Sequence, residues 1–158
     1  YENLTVRENI EFYGGIYGLR MKEIKPRMKS MLQSLGLESE AGKLVSSLPL
    51  GWKQKLAFST AIFHNPKLVF LDEPTSGVDP VTRRQFWEMI YEAASRGITV
   101  FVTTHYMDEA EYCNRISLMV DGRIDALDAP GNLKKQYQAA TMNEVFYALA
   151  RGAKRFAP

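Results

Sequence analysis

The sequence predicts an α/β protein in which a helix-rich first third leads into part of a mostly parallel sheet that ends in a C-terminal hairpin. Three observations predict it. Apolar residues recur at helical spacing through residues 3–46. Two short unbroken apolar runs, Leu68 to Leu71 and Ile98 to Val102, flank a segment with strong helix signals. Asp121 and Gly122 separate two alternating apolar segments, as a two-residue hairpin turn requires.

The 158 residues amount to about one domain. With 46% hydrophobic and 24% charged residues the composition is that of an ordinary globular chain and excludes disorder. No run approaches the roughly 18 apolar residues that cross a bilayer, and the start YENLTVREN lacks the basic region and apolar core of a signal peptide. A soluble chain is expected. The net charge of +2 is too small for a nucleic-acid footprint, so no nucleic-acid partner is expected. Cys113 stands alone, which excludes an internal disulfide and fits a reducing compartment such as the cytoplasm.

Glu8 to Tyr17 reads as one helix, and Met28, Met31, Leu32 and Leu35 before Gly36 as a second, with Pro26 expected in its first turn. SSLPLG then reads as a loop before a helix from Trp52 to Phe63 that ends near Asn65 and Pro66. Between the two strands, Asp79 serves as N-cap and Pro80 as first helical residue. The stripe Phe86, Met89, Ile90, Ala93 and Ala94 follows, before Gly97. The unbroken runs imply strands covered on both faces. A strand, helix, strand unit joins parallel strands, and ligands of such sheets sit beyond the strands' carboxyl ends. A short helix from Met107 to Cys113, the hairpin, and helices at 131–137 and 142–150 complete the chain.

Asp72 and Glu73 stand where the first strand ends and Pro74 stops it. Alternation along a strand points the two carboxylates to opposite sides, free for different tasks. Two buried carboxylates this close repel unless a cation such as Mg²⁺ offsets them, so the pattern implies a metal. A bare acidic pair also fits a turn cap beside a buried ion pair.

The wider stretch LVFLDEPTSGVDP is far more specific, and it resembles the Walker B motif and D-loop of ABC ATPases. VFVTTHYMDEAE likewise resembles their switch-histidine segment, especially that of drug exporters. The resemblance implies a P-loop NTPase-like fold. It also implies that Asp72 orients Mg²⁺ through water, Glu73 is the general base polarising the attacking water, and His105 contacts the terminal phosphate. Ser76 and Asp79 of SGVD belong, on the same resemblance, to the dimer-facing nucleotide site. LPLGWKQK, from Leu48 to Lys55, takes the place of the family's LSGGQ signature. Pro49, Leu50 and Trp52 depart from that pattern, so the nucleotide contact passes to Gly51 and, more weakly, to Lys53 and Gln54. The helix N-terminus there supplies a positive dipole end in any case.

The resemblance covers nearly the whole chain, 1–158, as a partial nucleotide-binding domain: about 1–65 the helical and signature part, about 66–158 the Walker B, D-loop, switch-histidine and C-terminal part. No GxxxxGK[ST] phosphate loop occurs in the sequence, and Tyr1 begins just after the point where the family's Q-loop glutamine is expected. The resemblance therefore implies an ATPase that uses ATP and Mg²⁺ to power transmembrane export and works as a dimer of cassettes on a permease. Its place is the cytoplasmic face of the membrane, and the 158 residues alone are expected to be inactive. The alternatives are a soluble cassette ATPase outside transport and a degenerate cassette that only binds a partner. Arg20, Lys22, Lys25, Arg27 and Lys29 read as a solvated helix face, and His64 as a residue at a helix C-terminus. Phe12, Tyr13 and Tyr17 read equally as core or as a docking face for a permease helix, and Cys113 as a buried small hydrophobe.

Overall fold

A computed structural model of the chain describes residues 1–152; the last six residues of the 1–158 domain assignment lie outside it. The chain forms two compact units, Tyr1–Thr103 and Thr104–Pro158.

The first unit begins with α1 (Val6–Ile16). Its start is fixed by a capping box: the Thr5 hydroxyl accepts the Glu8 N–H at 3.2 Å, and Glu8 accepts the Thr5 N–H at 2.8 Å. Helix α2 (Met21–Leu35) starts with Glu23 accepting the Arg20 N–H at 3.1 Å and ends on Gly36 at φ 66°. Pro26 therefore lies inside the helix and not in its first turn, because the Arg20–Glu23 pair sets the start one turn earlier. Lacking an N–H, Pro26 leaves the Lys22 carbonyl without its helical bond. Helix α3 (Leu50–Ala61) begins two residues before the expected Trp52, directly after Pro49. Val6 and Ile10, Ile24 and Leu32, Leu37, and Leu56 and Phe63 are buried together as the core of these helices.

Strand β1 (Leu68–Asp72) pairs in parallel with β2 (Thr99–Thr103), from Leu68 opposite Thr99 to Asp72 opposite Thr103. Helix α4 (Pro80–Ser95) joins them. Its cap is as the sequence predicts: the Asp79 carboxylate accepts the Val81 and Thr82 N–H groups, each at 3.0 Å. Phe86, Trp87, Ile90 and Ala93 are buried on it; Trp87 joins the expected stripe, and Ala94 leaves it for solvent.

The expectation of strands covered on both faces is corrected. Val69 is buried, but Leu68, Phe70 and Phe101 are 45%, 70% and 54% exposed. The two-stranded sheet therefore has one packed face and one open apolar face, where Phe70 and Phe101 meet at 5.6 Å between ring centroids.

The second unit holds α5 (Met107–Ala110), the antiparallel pair β3 (Ile116–Val120) and β4 (Arg123–Asp128), α6 (Pro130–Gln136) and α7 (Met142–Gly152). Asp121 and Gly122 turn the hairpin with φ 47° and 76°, the two positive values that a two-residue loop of this kind requires. Ile116, Leu118 and Ala126 bury one face of the hairpin against Leu133, Met142 and Val145. Cys113 is half-buried, and burial pushes its thiol up, with the Glu109 charge a smaller cause.

Candidate functional site

The carboxylate pair lies at the carboxyl end of the parallel strands, and β2 holds it through one residue. The Thr103 hydroxyl donates to Asp72 Oδ1 at 2.5 Å. The same Oγ accepts the Glu73 N–H at 3.1 Å, and the Thr103 carbonyl accepts that N–H as well, also at 3.1 Å. Thr103 thus fastens both positions at once. No sequence signal singled it out, since threonine at a strand end reads as an ordinary β-former.

Glu73 is not a strand residue. Its φ is 43°, in the left-handed region that non-glycine residues seldom adopt and that costs of order 1–3 kcal/mol. Strand alternation therefore does not set the direction of its side chain; the turn into Pro74 does. The Glu73 carbonyl then accepts the Ser76 N–H at 3.1 Å, closing that turn. Both residues are exposed, so water screens the two charges and, contrary to the expectation for a buried pair, their repulsion alone does not require a cation. The donor set still fits Mg²⁺: Asp72 Oδ1 is taken by Thr103, and the carboxylate retains Oδ2 to accept from a water of a hard cation that keeps several waters. Among the described residues, no group of three or more His, Cys, Asp or Glu side chains is placed to hold a metal by itself.

The residues after the carboxylates connect to α3. Gln54 Nε2 donates to the Ser76 carbonyl at 3.2 Å, tying the candidate signature helix to the loop that follows Glu73. Thr82 stands between α3 and α4. Its hydroxyl donates to Asp79, and its methyl lies 2.5 Å from where a Cβ on Gly51 would stand. Gly51 is thus required for the close packing of α3 on α4, a structural reason beside the ligand approach expected of it. The Thr82 hydroxyl first, and then the Thr82 and Val81 N–H groups, hold the Asp79 carboxyl below its usual range. Lys53 is paired with Glu2 at 3.0 Å.

His105 follows Thr103 by two residues and belongs to the second unit. There it is exposed, with its ring 4.2 Å from that of Tyr106. His64 stacks on Tyr17 at 3.9 Å and 28°, which gives it an aromatic partner besides the helix end expected from sequence. Tyr17 stacks in turn on Tyr13 at 6.2 Å between centroids.

A parallel strand pair with an acidic pair at its carboxyl end and a capped helix between the strands is the build expected of part of a P-loop NTPase-like sheet. Residues 38–107 match the family model described as AAA domain, putative AbiEii toxin, Type IV TA system. The chain is 49% identical over 136 residues to the probable multidrug ABC transporter ATP-binding protein YbhF of Escherichia coli, across 86% of this chain and 24% of that protein. It is 40% identical over 135 residues to a fluoroquinolones export ATP-binding protein of Mycobacterium tuberculosis, across 85% of this chain and 44% of that protein. A solved ATP binding subunit of an ABC transporter superposes with a TM-score of 0.81 at 28% identity, across 94% of this chain and 63% of that one. The chain belongs to the ATP-binding proteins of ABC transporters and spans less than half the length of these two curated relatives.

Proposed function

We propose that this chain is the water-activating part of an ATP-hydrolysing cassette that powers export, working with a second cassette and a transmembrane component at the cytoplasmic face of a membrane. The observation that carries the proposal is the pair of carboxylates fastened by Thr103 at the ends of β1 and β2. Names of relatives that export drugs favour transport over a soluble cassette.

In this reading Glu73, turned out of the strand at φ 43°, takes a proton from the attacking water, a role that contributes typically 10²–10⁴-fold. Asp72 holds Mg²⁺ through water, and the cation offsets the phosphate charge. His105 donates to the terminal phosphate, while Ser76, Asp79 and Gly51 face nucleotide across a cassette dimer, with weaker contributions from Lys53 and Gln54. The phosphate cradle comes from a GxxxxGK[ST] loop, which these 158 residues do not contain.

Phosphate release tests this. The 158-residue chain given ATP and Mg²⁺ is expected to release none above background. A cassette completed upstream of Tyr1 with a phosphate loop is expected to turn over. Robust release by the 158 residues alone would overturn the division of labour. An inert completed cassette would favour the degenerate, partner-binding alternative, to which the Lys53–Glu2 pair and the Gly51–Thr82 packing lend some support.

A further inference from the structure

A cavity of about 610 Å³ opens between α2, α3 and α4, away from the carboxylate pair and within the first unit. Its size falls in the range of small-molecule sites. Phe58 and Phe63 are buried at its floor, and the half-buried Met31 and Met89 form apolar walls.

Two polar features complete it. Ser59 is buried at 8% exposure, and among the described residues its hydroxyl makes no hydrogen bond, although it lines the cavity. The Ser59 oxygen keeps access to the cavity, where it offers a polar contact to a ligand atom. At the exposed rim stands Arg96, just past the last turn of α4, whose guanidinium forms no ion pair or hydrogen bond among the described residues. Arg27, also on the rim, donates to the Phe63 carbonyl at 3.1 Å. These two guanidiniums outweigh the one rim carboxylate, Glu92, so the opening is net positive.

We propose that this cavity binds a small amphipathic anion, with its apolar body against Met31, Met89 and Phe58 and its acidic head at Arg96. The methionines supply adaptable apolar walls, and the guanidinium supplies a fork matched to a carboxylate. The site does not depend on the ATPase reading, since no residue of the carboxylate pair takes part.

The probe is decanoate, followed through the ¹³C methyl signals of the methionines in the 158-residue chain. Of the seven methionines, Met31 and Met89 line the cavity. Decanoate is expected to shift these two saturably, while Met119 and Met142 of the second unit stay still. Arg96→Gln should weaken the affinity by about tenfold, the loss of one charge-assisted contact. Arg84→Gln, within α4 but outside the cavity, should not change it. Decyltrimethylammonium should not move the two methyls. The proposal is overturned if decanoate leaves both methyls unmoved at about 1 mM, a weak-binding limit. It is equally overturned if Arg96→Gln binds like Arg84→Gln, or if the cationic amphiphile binds as well as the anion.

Discussion

Thr103 touches the candidate site three times, and only its backbone carbonyl contact survives Thr103→Val. The Glu73 amide should then exchange its hydrogen about tenfold faster in Thr103→Val, and at nearly the native rate in Thr103→Ser, which keeps the hydroxyl. Unchanged exchange in the valine variant would show that the hydroxyl does not hold Glu73. Gly51 is a second such point: a methyl there meets Thr82 Cγ2 at 2.5 Å. Gly51→Ala should cost about 1–3 kcal/mol in denaturant unfolding, and Thr82→Ser on the same background should recover much of it by removing the clashing methyl. Asp79 adds a pH dependence. Its folded carboxyl is lowered by the Thr82 and Val81 bonds, so the stability it contributes is present above the unfolded value near 4. That stability disappears as pH falls through the folded value. Amide protection at Val81 and Thr82 should therefore fall in acid, and Asp79→Asn should flatten the response.

At the scale of elements, local chemistry decided what was legible in sequence. The cap and stripe of α4 and the Asp121–Gly122 turn were readable because each signal lies within a few residues of what it sets. The acidic pair was readable because it stands beside Pro74 in a specific motif. Contacts made across long separations carried no signal: Thr103 to Asp72, Gly51 to Thr82 and Gln54 to Ser76 depend on which elements meet. The left-handed Glu73 was missed for a related reason, since glutamate has no preference for that region and tertiary context imposes it. Pro26 was misplaced because its preference for the first turn was outweighed by the Arg20–Glu23 cap. The cost of that placement is testable. Pro26→Ala restores an N–H opposite the Lys22 carbonyl and should raise stability by about 1–3 kcal/mol in denaturant unfolding; no gain would show that α2 is already adjusted to the proline.

For the whole molecule, the open face of β1 and β2 predicts behaviour in solution. Leu68, Phe70 and Phe101 form an exposed apolar patch on a two-stranded sheet whose edges have no further strand among the described residues. The 158-residue chain should therefore self-associate with rising concentration in sedimentation velocity, and Phe70→Lys with Phe101→Glu should reduce this. A concentration-independent monomer would contradict it. The account rests most heavily on the claim that these residues hold the water-activating group of an ABC ATPase. Steady-state phosphate release from a cassette completed upstream of Tyr1 tests that claim when Glu73→Gln is compared with the native residue. The account predicts a fall of about 10²–10⁴-fold with ATP binding retained. Equal turnover with glutamine at position 73 would contradict it.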